Sequence, residues 1–132
     1  MRKRRIKPLL PSLREKKRYL VFEVLSKQHL QSFASIQRQL WHSMLQVYGE
    51  TGTAAAGFWV LPDKYDAQRQ VGILKANHHA VPQVKAALTL IQSIDQEPVI
   101  VRTCGVSGIL NKAIKYMPSA EQESSMVGNK KR

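Results

Sequence analysis

One cysteine, Cys104, stands in 132 residues. It can close no disulfide within the chain, and a metal centre built from cysteines alone is excluded. Acidic side chains are scarce too: nine against 21 Lys and Arg, scattered from Glu15 and Glu23 to Glu121 and Glu123. A two-metal hydrolytic centre needs carboxylates converging from rigid elements, and the nearest pair, Asp63 and Asp66, falls in what reads as a turn. No apolar run approaches the length of a membrane span, and the basic start of the chain lacks the apolar core of a signal peptide. The Gly-Lys-Ser/Thr ending of a phosphate-binding P-loop is missing as well. The expected location is therefore intracellular.

What is abundant is positive charge. The formal net charge is +12, while the apolar fraction of 43% is that of an ordinary globular domain. Such an excess points to a polyanionic partner, nucleic acid before membrane, because the cations gather toward the chain ends instead of along one face of an apolar helix. The densest stretch runs from Leu13 to Leu25, where Arg14, Lys16, Lys17 and Arg18 lead without a gap into Tyr-Leu-Val-Phe-Glu-Val-Leu. That run has the composition of a strand, so the cations are delivered at the mouth of a rigid element. Residues 1–11 read as a basic, proline-marked arm, 12–117 as one domain, and 118–132 as a polar tail ending Gly-Asn-Lys-Lys-Arg.

Within the domain, apolar periodicity predicts a strand over 18–25 and a helix over 32–48, capped by Ser32 and stopped by Gly49. Phe33, Ile36, Leu40, Met44 and Val47 form its buried stripe. A strand over 54–61 turns at 62–66 and returns over 68–76. Gly72 there marks either a bulge or a close backbone approach. A second helix runs from 80 or 81 to 94 with Pro82 in its first turn, followed by a strand over 99–104 and a short helix over 107–117. Leu110, Ala113, Ile114 and Met117 are expected to face inward on that last helix. Strand, helix, strand, strand, helix, strand gives an α/β sandwich of the ferredoxin-like, RRM-like βαββαβ kind. It has a four-stranded antiparallel sheet and an added C-terminal helix. In the first strand Tyr19, Val21 and Glu23 share a second, partly apolar face that something should cover.

Three groups of residues are candidates for contact. Arg14, Lys16, Lys17 and Arg18 head the first strand. In Cys104-Gly-Val-Ser-Gly-Ile-Leu-Asn-Lys112, Ser107 stands at the expected start of a helix with Gly108 beside it, Arg102 before it and Lys112 within it. This is either an anion-binding loop or a plain serine-capped turn. Lys75, His78 and His79 end the third strand. Adjacent histidines diverge and have no further ligand at a recognisable spacing, so they suit phosphate, base or solvent better than a metal. The third strand, Gln70-Val-Gly-Ile-Leu-Lys-Ala76, lacks the aromatics on which RRM sheets stack bases, so its face suits protein contact. Tyr19, Val21 and Trp41 are candidates for that protein contact, Trp41 alternatively for the core.

Four of these segments carry a resemblance: Leu10-Pro-Ser-Leu-Arg-Glu-Lys-Lys-Arg-Tyr-Leu-Val-Phe-Glu-Val24, Gly72-Ile-Leu-Lys-Ala-Asn-His78, Val84-Lys-Ala-Ala-Leu-Thr-Leu-Ile91, and Val101-Arg-Thr-Cys-Gly-Val-Ser-Gly-Ile-Leu-Asn-Lys-Ala113. In that order they resemble the Pop5 family (Pop5/Rpp14) over residues 9–117, the archaeal and eukaryotic protein subunit of ribonuclease P. The resemblance implies a non-catalytic, RNA-binding subunit. In such a particle the RNA and its Mg2+ ions cleave precursor tRNA to leave the mature 5′ end, and an Rpp30-type protein is the partner. It implies that Arg14, Lys16, Lys17 and Arg18 brace the RNA backbone and that Arg102, Ser107 and Lys112 extend the same surface. The chain departs from the family's pattern at His79 and Ile109. The expected compartment is the cytoplasm in an archaeon and the nucleus in a eukaryote. A general RNA-binding or structural adaptor subunit of another ribonucleoprotein is the alternative.

Overall fold

The computed structural model describes residues 16–30 and 32–118. The arm proposed for 1–11, Arg14, and the proposed tail beyond Pro118 lie outside the described residues. The elements are β1 (Lys17–Ser26), α1 (Phe33–Ala56), β2 (Trp59–Asp66), β3 (Val71–Asn77), α2 (Val81–Thr89) entered through a 3-10 turn at His78–Ala80, β4 (Ser93–Ile94), β5 (Glu97–Ser107) and α3 (Leu110–Ile114). One antiparallel sheet takes the order β2-β3-β1-β5-β4. This is the ferredoxin-like α/β sandwich, with a two-residue strand added at one edge.

β1 is central because both of its faces are apolar. Leu20, Phe22 and Val24 point into the main core with Ile36, Leu40 and Met44 of α1 and Val84, Ala87 and Leu88 of α2. Val21, on the opposite face, is sealed by Val71, Ile73 and Ala113, with Leu110 and Met117 packed around them. α3 is thus the cover that the second face of the first strand required. Ser43 tightens the α1–α2 contact from a buried position, its hydroxyl donating to the Ala87 carbonyl at 2.6 Å.

Several boundaries differ from the sequence-based expectation. Ser32 does cap α1, accepting from the Ser35 amide at 3.2 Å, but Gly49 bends the helix instead of ending it. Its backbone sits at φ 72, ψ 178, and the helix resumes to bury Thr53 and Ala56 before Gly57, at φ 63, closes it. Val47, expected in the stripe, is exposed, while Ser43 is buried in its place. The loss of 54–56 to the helix moves β2 to Trp59, and 62–66 belong to that strand. The turn is 67–70, where Asp66 Oδ1 accepts from the Gln68 and Arg69 amides. Gly72 faces Phe22, and an added Cβ would stand 2.7 Å from the Phe22 ring and 3.0 Å from that of Tyr65. The glycine makes room for side-chain rings, not for a backbone. Burial, and then neighbouring Asp66, push the Tyr65 phenol up to about 12.

α2 stops at Thr89, five residues before its expected end, because Ile94 reaches the core from a strand. A tight β4–β5 hairpin follows, with Asp95 and Gln96 both at positive φ. β5 is longer than expected and carries Gly105 and Ser107 within it, so the last helix shrinks to five residues. Ala113 faces inward as expected, but Ile114 is exposed.

Candidate nucleic-acid interface

Antiparallel pairing brings three strand ends together. Lys17 stands opposite Asn77, Arg18 opposite Ala76, and Tyr19 opposite both Lys75 on one side and Ser107 on the other. The Lys16 carbonyl accepts from the His78 amide at 2.6 Å, which ties the 3-10 turn to the entrance of β1. Lys16, Lys17, Arg18, Lys75, His78 and Ser107, spread over ninety residues of chain, therefore meet at one end of the sheet. Lys112 is exposed on α3, five residues beyond Ser107. Among the described residues none of Lys16, Lys17, Arg18, Lys75 and Lys112 is ion-paired with a carboxylate. Cations left without acids on a rigid sheet end form a field for phosphates, since no side chain has to be released before an anion binds.

Neighbouring groups set the postures of these cations. Lys17 Nζ donates to Asn77 Oδ1, and the Asn77 amide nitrogen donates in turn to the Ala55 carbonyl at 2.8 Å. Asn77 so joins the end of β3 to the end of α1 and fixes Lys17 between them. The sequence reading missed it, although strand register alone would have placed an amide opposite Lys17. Arg18 is half-buried, and a Cβ on Gly108 would lie 2.9 Å from its Nη1. The space left by that glycine, expected to admit an anion, is occupied by the Arg18 guanidinium.

Ser107 is not a helix cap. It ends β5, and its hydroxyl accepts from the Ile109 amide at 3.1 Å, while α3 begins at Leu110 without a side-chain cap. Arg102 stands apart. It pairs with Glu23 in mid-sheet, six residues along β1 from Lys17, roughly 20 Å at the rise of a strand. Its Nε lies 2.7 Å from Glu23 Oε1, and this bond holds the guanidinium pKa above its ordinary value. Glu23 is only 5% exposed, so the pair meets the needs of a buried carboxylate. Cys104 Sγ lies 4.0 Å from the same oxygen, and burial pushes its thiol up, away from the reactive thiolate.

Of the residues expected to meet a protein partner, Val21 is fully buried beneath α3 and cannot do so. Tyr19 is half-buried beside it. Trp41 packs edge-on against Phe58, with ring centres 4.9 Å apart, and against Trp59 at 6.2 Å. The rings of His78 and His79 are 5.4 Å apart, and no group of three His, Cys, Asp or Glu side chains among the described residues could hold a metal ion.

Comparison with known proteins identifies the family and the fold. The Rpp14/Pop5 family model matches residues 18–118. The ribonuclease P protein component 2 of Pyrococcus horikoshii is 35% identical over 109 residues, covering 83% of this chain and 88% of its own length. Its counterpart in Pyrococcus furiosus is 36% identical over 108 residues, covering 82% and 88%. That of Methanocaldococcus jannaschii is 37% identical over 113, covering 85% and 81%. A chain in the cryo-EM structure of yeast ribonuclease MRP shares the fold, with a TM-score of 0.57 at 13% identity over 89% of this chain and 93% of that one.

Proposed function

The chain belongs to the Rpp14/Pop5 family, and from that membership we propose that it works as the RNA-binding, non-catalytic protein subunit of a ribonuclease P particle. In this reading the catalytic RNA and its magnesium ions carry out the 5′ maturation of precursor tRNA, and an Rpp30-type protein is the second partner. The observation that carries the proposal is the cationic sheet end, where Lys16, Lys17 and Lys75 pair with no carboxylate among the described residues. RNA helices folding into an active core repel one another through their phosphates. Fixed cations offset that repulsion and lower the magnesium needed to reach the same fold. The face beyond the Glu23–Arg102 pair has a different character. Leu25 opposes Ile100 there, 42% and 65% exposed, which supports a protein contact on that side.

Cleavage of precursor tRNA by the cognate RNA, with this chain and the Rpp30-type protein added singly and together over a magnesium series, tests the proposal. The two proteins together should lower the magnesium requirement and raise the rate. Replacing Lys16 and Lys17 by Ala should reverse part of both effects and flatten the salt dependence of RNA binding by about 1.5 units of slope. An unchanged rate and magnesium requirement at saturating protein would overturn it. A general RNA-binding subunit would bind unrelated RNAs equally well and leave cleavage unaffected.

A further inference from the structure

One row of paired residues crosses the sheet at its cationic end. Trp59 of β2 stands opposite Lys75 of β3, Lys75 opposite Tyr19 of β1, and Tyr19 opposite Ser107 of β5. Residues directly opposed in antiparallel strands leave on the same side, so the four start from one face, and on the edge strand β2 the Trp59 ring lies at the margin of the sheet, within reach of Trp41 of α1. Tyr19 is half-buried there, but Trp59 is 53% exposed, and its ring contact is an edge-on one with Trp41. Packing accounts for Trp41, which lies on Phe58, and leaves Trp59 exposed. The row holds no carboxylate. Arg18 and Lys17 stand one and two positions further along β1, toward the entrance of the strand.

We propose that Trp59 is a stacking platform for an unpaired nucleobase of RNA, with Lys75 at the phosphate of the same or the next nucleotide. An exposed indole beside cations that pair with no carboxylate among the described residues matches both halves of a nucleotide, its flat base and its charged backbone. The nucleotide has to be unpaired, because bases within a duplex present no free face. A protein segment would gain from the indole but would have to bring acids to these cations, whereas RNA carries its anion at every residue. The aromatic-poor third strand had argued against stacking on this sheet; the platform lies on β2 instead. The inference rests on the RNA-binding reading above and adds a class of ligand, single-stranded RNA.

The full chain with Trp41→Phe carries Trp59 as its only tryptophan, which makes its emission a direct reporter. Titration with an end-labelled, unstructured oligoribonucleotide of roughly ten nucleotides, and with a duplex of equal phosphate number, gives two signals. Anisotropy of the label reports binding, and indole emission reports stacking. The single strand should quench the indole and the duplex should not. Trp59→Leu should weaken single-strand binding roughly tenfold and leave duplex binding unchanged, while Trp59→Phe should stay within about threefold of the parent. If both RNAs bind with unchanged emission and equal affinity in W59L, the platform is wrong and the RNA-binding reading stands. If neither RNA binds, that reading falls and the inference with it. If the emission responds only to the Rpp30-type protein, Trp59 is a protein contact and the inference is overturned.

Discussion

Arg102 shows how the surroundings of a side chain redirect its charge. In sequence it is one more cation among 21 basic residues, placed shortly before a glycine-rich segment. In the fold it is the partner of a buried carboxylate, its Nε donating to Glu23 Oε1 at 2.7 Å. Arg102→Ala should therefore lower stability by about 1–2 kcal/mol, a figure kept small because the arginine side chain is 44% exposed and water replaces part of its contribution. Urea unfolding measures this. RNA affinity should change much less than in the Lys16/Lys17 double variant, whose cations pair with no carboxylate among the described residues. The guanidinium pKa is raised, so the arginine's contribution is present at neutral pH and is lost on the alkaline side only as pH climbs through the raised value. No pH step from this pair is expected near neutrality.

Among the elements, α1 departs most from what its residues suggest. A glycine after sixteen helical positions reads as a stop, and locally it is one, since φ 72 with ψ 178 is open to glycine and costly for any other residue. Packing carries the chain on, because Thr53 and Ala56 find buried places when the helix resumes. Gly49→Ala should cost about 1–3 kcal/mol although nothing lies within 4 Å of the added Cβ, so the loss would be backbone strain alone. Thermal unfolding checks this, and a variant with d-alanine at the same position should recover most of the loss. The end of α2 shows the reverse error. The helical spacing of Val84, Ala87, Leu88 and Ile91 is genuine and all four are buried, yet extending it to Ile94 by periodicity ignored the Asp95–Gln96 turn. Neither residue is glycine, so the usual sign of a two-residue hairpin was absent.

At the scale of the whole molecule, a net charge of +12 on one small domain stores repulsion that the fold itself does not relieve. Stability should rise with ionic strength, by a few degrees in midpoint between roughly 0.05 and 0.3 M salt, as the cations are screened. A polyanion such as heparin at low salt should raise it further by binding only the folded array. Differential scanning fluorimetry distinguishes the two effects, because added salt would cancel the heparin increment while maintaining its own. A midpoint that fell with salt would mean that attractive pairs, not repulsion, dominate the surface.

The order of the strands and helices apart from β4, the two-faced first strand and the sign of the charge were legible in the chain, because composition and short-range periodicity determine them. Local signals have no access to partners far along the sequence. Strand register decided that Lys75 and His78 join Lys16 and Lys17, that Asn77 holds Lys17 in place, and that Arg102 serves Glu23 in mid-sheet. Packing of α3 decided that Val21 is interior, and the space beside Gly108 went to Arg18 because a strand end and a loop converge there. The sequence determined which cationic side chains the chain carries; long-range pairing determined which of them stand together at one end of the sheet.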